Sequence, residues 1–477
     1  MPKSSRSELH DFINVWRTKI DPAFRSTTDT HELVFASLTS DSAKEKVLSL
    51  RDELAISCME EILRILEGLG PESSQLRLGH DYRFQLRRLL VQLSKVSGRI
   101  PDSIFAKGVE RSEGLFLFPT AGGGYADIFH MTFQGIPVAL KRLRIFSSST
   151  SQEDLHRDIC REALVWQQLR HPFILPLLGM DRETFKPYYC LVSPWMHLGS
   201  LIQHIQDELR SSRAQPLPLE RWLTEIAEGM QYLHSEGIVH GDLRGANILV
   251  GNDTRIRLTD FGLAQFAGST SASMDSRVGG SVRWVAPEIL KLENAKPSFQ
   301  SDIYAFGCLF IEIYTRRHPF HDIQLDFQVI AKKLMGARPM WPSESASNRL
   351  HLVLSDWEFI KSCWNDEPNR RPDGNALASA CLSRYKGLKL IPLSLMDLPQ
   401  YSALYTTQSL AEQSLDGATF DLLEVNQYMQ EATSTAAEQS PGATDSGRSG
   451  PFSVISGFSS PFSSMVDFSS AGSVVMI

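Results

Sequence analysis

The chain has 477 residues, of which 42% are hydrophobic and 22% charged, and a net charge of −7. That length suits two or more domains, the composition excludes wholesale disorder, and the acidic balance argues against nucleic-acid backbones as the main partner. No apolar run approaches the ~20 residues that a membrane-spanning helix needs; the best, Phe306–Ile313, is short and contains Glu312. The opening residues, with Arg6, Glu8, His10 and Asp11, hold no signal-peptide core. Six cysteines without paired spacing fit a reduced, cytoplasmic protein, with nuclear entry left open.

Residues 1–110 read as a helical region. Leu9, Phe12, Ile13, Trp16 and Ile20 recur at helical spacing. Ser42-Ala43-Lys44-Glu45 fits a capping box. It opens an apolar stripe of Val47, Leu50, Leu54, Cys58, Ile62, Leu66 and Leu69, which Gly68, Gly70 and Pro71 stop. A further stripe, Phe84, Leu89, Leu93 and Val96, ends near Gly98. Such helices either pack on one another and on a neighbouring domain or hold a protein partner.

Strand-like alternation follows at Leu115–Phe118, Ala126–Phe133, Pro137–Leu143 and Tyr188–Ser193, with a helical stretch at Leu155–Trp166. Helical patterns dominate from about 199 to 386. The remainder, 387–477, is of low complexity: from Glu431 onward 47 residues hold 13 Ser, 5 Gly and 3 Pro. It cannot bury enough surface to offset its ordering entropy and reads as disordered. Its Ser-Pro and Phe-Ser units are phosphosites, docking points or simply solvated chain.

Three segments carry chemistry. Ala121-Gly122-Gly123-Gly124-Tyr125-Ala126 lies between strand-like segments; it is either a hairpin turn or a loop whose backbone N–H groups approach phosphate oxygens, because no Cβ stands in the way. Lys141, on the apolar strand Val138-Ala139-Leu140-Lys141, needs a counter-charge, and Glu162 on the helical stretch is a suitable one. His240-Gly241-Asp242-Leu243-Arg244-Gly245-Ala246-Asn247 precedes a short apolar strand, and Asp260-Phe261-Gly262 comes soon after. Asp242 can accept a hydroxyl proton, and Asn247 and Asp260 are oxygen donors of the kind that hold Mg²⁺.

In this order the segments resemble the signature set of the eukaryotic protein kinases: glycine-rich loop, Val-Ala-Leu-Lys, helix Glu, His-x-Asp-Leu-x-x-x-Asn, Asp-Phe-Gly and Ala286-Pro287-Glu288. Ser301-Asp302-Ile303-Tyr304-Ala305-Phe306-Gly307 and Cys363-Trp364 with Asn369-Arg370-Arg371-Pro372 extend the match. Gly280-Ser281-Val282-Arg283-Trp284-Val285-Ala286-Pro287-Glu288 points to the tyrosine-kinase-like group, and the whole combination is similar to kinases expanded in mushroom-forming fungi.

The resemblance implies an α+β, bilobal fold over 111–386, with a β-rich lobe and a helical lobe, between the helical region (1–110) and the tail (387–477). It implies ATP and Mg²⁺ as cofactors and proteins as substrates. Asp242 would be the catalytic base, with Arg244 near the transferred phosphate. Lys141 would hold the nucleotide phosphates and pair with Glu162 when the enzyme is active, and Asn247 and Asp260 would hold the metal. Ala121, Gly122, Gly123 and Gly124 would cover the phosphates. Ile128, Ala139 and Leu249 would sandwich the adenine, with Ser193 as a small gatekeeper and Met196 in the hinge. Trp166, Leu177, His240 and Phe261 would stack as a spine anchored by Asp302, and Glu288 would pair with Arg371.

Three departures bear on function. Ala121 and Ala126 stand at the outer glycine positions of the loop. Gly241 replaces the Arg that usually precedes the catalytic Asp and pairs with a phosphorylated activation loop. Asp-Leu-Arg-Gly-Ala-Asn is found in some tyrosine kinases, whereas Ser281 stands at the Thr position of Ser/Thr kinases; the balance favours Ser/Thr. An active Ser/Thr kinase is the leading expectation, against a pseudokinase scaffold or a tyrosine kinase.

Overall fold

The computed structural model describes residues 28–68, 79–111, 118–122, 126–143, 152–211, 217–261, 282–291, 295–340 and 354–384. The stripe Leu9–Ile20, residues 115–117, Gly123, Gly124, Ser281 and the tail lie outside the described residues.

Four helices come first: α1 (Thr28–Ser37), α2 (Asp41–Ser49), α3 (Asp52–Gly68) and α4 (Gly79–Ser97). The cap of α2 is Ser40, whose Oγ accepts the Ala43 N–H at 3.4 Å; Ser42, expected to cap, lies inside the first turn. The long stripe expected after it divides in two. Leu50 is extended, and Arg51 Nη1 donates to the carbonyls of Leu48 and Leu50 at 2.9 and 2.7 Å, satisfying part of the helix end. α3 then buries Ala55, Cys58, Met59, Ile62, Ile65 and Leu66 on one face. In α4 the buried face is Leu86, Leu89, Leu90 and Leu93, while Phe84 and Val96, expected on it, are exposed.

A six-stranded antiparallel sheet forms the first lobe: β1 (Val109–Arg111), β2 (Ala121–Gly122), β3 (Ala126–Phe133), β4 (Ile136–Leu143), β5 (Gly179–Asp181) and β6 (Cys190–Pro194). The order is β1-β3-β4-β6-β5, with β2 on the other end of β3. β3 and β4 join through Gln134-Gly135, both at positive φ (50° and 78°), the geometry that a two-residue hairpin requires. One face buries Phe129, Met131, Phe133, Val138, Leu140 and Val192. Period-two alternation therefore puts Ile128, Ala139, Lys141 and Ser193 together on the other face, and the register pairs Ile128 with Lys141 and Ala139 with Ser193.

Helix α5 (Gln152–Trp166) packs beside the sheet, and the second lobe is helical: α6 (Leu201–Arg210), α7 (Leu219–Ser235), α8 (Pro287–Lys291), α9 (Phe299–Thr315), α10 (Asp326–Leu334), α11 (Leu354–Cys363) and α12 (Gly374–Arg384). A hairpin of β7 (Ile248–Val250) and β8 (Ile256–Leu258) rests on it. This is the α+β, two-lobed arrangement expected. α9 is buried from Ser301 to Tyr314 and forms the axis of the lobe. Among the described residues no helix is long and apolar enough to cross a membrane.

The N-terminal helices share one continuous core with the lobes, running from Val34 through Ile159 to Phe310. Of the roles open to them, packing on the neighbouring domain is realised. α4 lies against α5, and Arg87 of α4 forms a buried ion pair with Glu236 at the end of α7. The Phe84 ring covers Gly237, where a Cβ would come within 2.6 Å of it. The Ala106 N–H donates to the Met180 carbonyl at 2.8 Å, tying the linker to β5.

Among the described residues Arg87 Nε and Nη2 have no hydrogen-bond partner, so the pair is incompletely compensated. Removing one charge strands the other, which costs about 3–5 kcal/mol, whereas an apolar pair of equal volume is neutral or better. Arg87→Ala is therefore expected to lower unfolding stability by that amount, and Arg87→Met with Glu236→Leu to restore it, measured by chemical denaturation of the full chain.

Candidate active site

The site is built on the loop between α7 and β7. Its fixed point is Asp302, 1% exposed, in the first turn of α9. Ser298 and Ser301 cap this helix reciprocally, and a carboxylate here is favoured by the helix dipole. Asp302 Oδ2 accepts the His240 N–H at 2.8 Å and lies 2.9 Å from His234 Nε2, while Oδ1 accepts the Gly241 N–H at 2.9 Å. Gly241 sits at φ +81°, a backbone state in which a side chain would cost about 1–2 kcal/mol. Glycine is thus what the loop geometry itself favours where the resemblance led one to look for Arg.

Beyond this anchor the chain turns Asp242 outward, its side chain 37% exposed. Asn247, buried, holds it: Nδ2 donates to Asp242 Oδ2 at 2.7 Å and to the Asp242 carbonyl at 2.8 Å. Arg244 Nε donates to the same Oδ2 at 3.3 Å. Asp242 is therefore a partly solvated carboxylate with fixed orientation. The loop is closed from beneath by Glu312 of α9, whose Oε2 accepts the N–H of Gly245 and the indole N–H of Trp284, both at 2.9 Å. A Cβ on Gly245 would meet Ile202 at 2.9 Å and Glu312 at 3.2 Å, so the close approach needs glycine. Burial pushes the Glu312 carboxyl up to about 7, against these two donors and Arg244.

Asp260 follows β8 at φ 59°, a left-handed conformation that Asp tolerates better than most residues. The Thr259 N–H donates to the Asn247 carbonyl at 3.0 Å and joins the two segments. Burial alone would raise the Asp260 carboxyl, but the ammonium of Lys141 holds it below the ordinary carboxylate range. Lys141 and Asp260 form an ion pair. The resemblance implies a Lys141–Glu162 pair in the active enzyme; in this structure the Lys141 ammonium, its side chain 16% exposed, pairs with Asp260.

Three of the rings expected to stack meet edge to face. The ring of Phe261 lies 5.4 Å from that of Trp166 and 6.1 Å from that of His240, and Leu177 is fully buried in the same core. Desolvation holds the His240 imidazole below its usual pKa, so it packs as a neutral ring. Trp166 Nε1 donates to the Leu175 carbonyl at 2.7 Å. Arg371, its side chain fully buried, makes a two-pronged pair with Glu288 at 2.6 and 2.8 Å and donates to the carbonyls of Gln300 and Asn365.

Ile128, Ala139 and Leu249 are half-buried, whereas Ser193 and Met196 are buried. Ala121 pairs with Ile128 and Gly122 with Asp127; Gly123, Gly124 and Ser281 lie outside the described residues. Asn247 and Asp260 stand on neighbouring segments joined by the Thr259 N–H on the Asn247 carbonyl, and their amide oxygen and carboxylate are hard oxygen donors. Mg²⁺ takes such a donor set, completing its shell with phosphate and water. The residues present fit that metal.

Glu312, Trp284 and a buried lysine, Lys333, were missed by the sequence reading. Glu312 carried a signal, an acid inside an apolar run; Lys333, beside Lys332 on an amphipathic helix, carried none.

Residues 121–380 match the family model described as protein tyrosine and serine/threonine kinase. The chain is 32% identical over 287 residues to receptor-interacting serine/threonine-protein kinase 1 of Homo sapiens, covering 57% of this chain and 40% of that one. It is 28% identical over 270 residues to the serine/threonine/tyrosine-protein kinase HT1 of Arabidopsis thaliana, covering 56% and 64%. A protein of Acanthamoeba polyphaga mimivirus, named as a candidate serine/threonine-protein kinase/receptor, is 29% identical over 251 residues, covering 52% and only 15%. The chain thus spans a minor part of some of its relatives. With the family model matching more than half of the residues, and the loop, ion pairs and stacked rings in place, the chain belongs to the protein tyrosine and serine/threonine kinase family.

Proposed function

We propose that the protein is an intracellular, ATP- and Mg²⁺-dependent protein kinase that phosphorylates Ser and Thr hydroxyls. The observation that carries the reading is the cluster of Asp242, held by Asn247 and Arg244, next to Lys141 and Asp260. MgATP, when bound, supplies the phosphoryl group and neutralises its developing charge. Asp242 Oδ accepts the proton of the acceptor hydroxyl, and Asn247 keeps that oxygen aimed. Lys141 supplies positive charge at the cleft face of the sheet, and the half-buried Ile128, Ala139 and Leu249 offer an apolar slot for the base. Positioning and electrostatics are what phosphoryl transfer asks of the protein. A relative named as a serine/threonine-protein kinase, receptor-interacting serine/threonine-protein kinase 1, supports the acceptor class, with the Ser281 position in the sequence.

Lys141→Met and Asp260→Ala are each expected to lower radiolabelled phosphate transfer to a peptide library at least a hundredfold while the far-ultraviolet circular dichroism is retained. A variant transferring phosphate like wild type would defeat the assignment. In the same library, label on tyrosine rather than on Ser or Thr would overturn the acceptor class.

Regulation follows from Gly241, which has no donor side chain and already spends its N–H on Asp302. Phosphates at Ser269, Thr270, Ser271, Ser273 or Ser276 would have Arg277 as a neighbour in sequence. An exposed pair is worth ~0.2–1 kcal/mol, about a five-fold shift at most. Enzyme treated with phosphatase, then freed of it, is expected to keep its initial rate within about that five-fold factor; a hundredfold fall would defeat this reading.

A further inference from the structure

Lys333, near the end of α10, is 1% exposed although it is a lysine. Its Nζ donates to three backbone carbonyls, Val282 at 3.0 Å, Arg283 at 3.0 Å and Val285 at 2.5 Å. The rings of Tyr304 and Phe320 lie 5.0 and 5.5 Å away. An ammonium has three donors, and here all three are used on one four-residue segment. That segment leads directly into Ala286-Pro287-Glu288.

The same segment is held on two further sides. Arg283 turns to the loop before α10, donating to the carbonyls of Phe320 at 2.7 Å and Ile323 at 2.9 Å and pairing with Asp326 at 2.9 Å. Trp284 points the other way, to Glu312, the carboxylate that also receives the N–H of Gly245. Residues 282–285 are therefore fixed between α10 and the loop that carries Asp242. Moving their backbone moves the surface beside the proposed base.

We propose that Lys333 is a positioning residue for the protein acceptor: a built-in cation that gathers the carbonyls of 282, 283 and 285 and so sets the acceptor platform next to Asp242. The inference rests on the kinase reading. Lys333 touches neither nucleotide nor acceptor and acts through the segment it holds. Without it, three buried carbonyls lose their donor and the segment must shift to find others. It orders the segment from inside the fold by donating to carbonyls, where phosphorylation elsewhere orders a segment with an added anion.

The facing charged groups define the pH behaviour. Lys333 is held down to about 8 by burial, with Cys308 and Glu288 opposing and Arg338 and Arg283 assisting. The Cys308 thiol is itself pushed up to about 11, so its charge does not change near pH 8, and Glu288 is paired with Arg371. As the pH rises through about 8, Lys333 loses its charge and one donor.

The test uses the full chain, a Ser/Thr peptide selected from a degenerate library, and Lys333→Met, which keeps the length of the side chain. KM for the peptide is expected to rise tenfold or more, with KM for ATP and the ATP-induced melting shift unchanged within twofold. Wild-type kcat/KM for the peptide should fall above pH 8, and this limb should vanish in the variant. An unchanged peptide KM in folded Lys333→Met overturns the proposal. Should that variant fail to fold, absence of the alkaline limb in wild type overturns it. Hydrogen exchange is a readout apart from activity: amides 282–286 should exchange faster in Lys333→Met, and equal protection counts against the clamp. Wild type that transfers phosphate to no peptide would instead defeat the kinase reading, with the exchange result still deciding the clamp.

Discussion

A single buried carboxylate sets the position of everything that follows in the site. Asp302 accepts two consecutive backbone N–H groups and faces a histidine while almost completely out of water. Burying a charge is tolerable only when it is paired and hydrogen-bonded, so these bonds cannot be exchanged for solvent at low cost. They fix His240 and Gly241, and hence the direction in which the chain leaves for Asp242. Because His240 also stacks on Phe261, and Phe261 on Trp166, the same anchor reaches Asp260 on one side and the end of α5 on the other.

Helix α9 extends that logic along its length. Asp302 stands at its start and Glu312 near its end, nearly three turns away along the 3.6-residue repeat, and both accept from backbone N–H groups of the same loop. Between them Tyr304 presents its ring to Lys333, Arg338 and Arg371. The helix is thus a buried beam with acceptors for the loop at both ends and an aromatic face for cations in the middle. Apolar packing along it, Phe306, Leu309, Phe310 and Ile313, supplies the rigidity that makes these polar contacts positional.

How far this was legible in the sequence depended on whether chemistry or burial dictated the residue. Lys141, Asp242, Asn247, Asp260, Glu288, Asp302 and Arg371 stand out because they fall in motifs that resemble, in order, the protein-kinase signature set. Strands β3, β4 and β6 were legible from period-two alternation; β1, β2 and β5, two or three residues each, are too short to show a period. The break between α2 and α3 was not legible either: no Gly or Pro marks it, and the stop is made by the Arg51 guanidinium folding back onto carbonyls. Lys333 was illegible for a related reason. Val329 and Lys333 are the buried positions of α10, yet periodicity assigns a lysine outward unless the three carbonyls that receive it are already known. Lys141 shows the converse case, where the need for a counter-charge was readable but the choice between Glu162 and Asp260 was a matter of three-dimensional reach.

The N-terminal helices complete the argument about what can move. They are joined to the lobes by apolar packing of α4 on α5 and by one buried ion pair to α7, so they touch the helix that carries Glu162 and the helix that leads into the catalytic loop. A domain held by apolar surface alone could slide along α5 with little directional penalty, because dispersion and hydrophobic contacts are individually weak and non-directional. Arg87 and Glu236 remove that freedom: their attraction in a dry setting falls steeply if the partners separate, leaving two uncompensated charges. The position of α4 on α7 is therefore set by electrostatics and its adhesion by area. Any partner that rotated α4 would have to break the ion pair first, and in doing so would act on α5 and the catalytic loop at once.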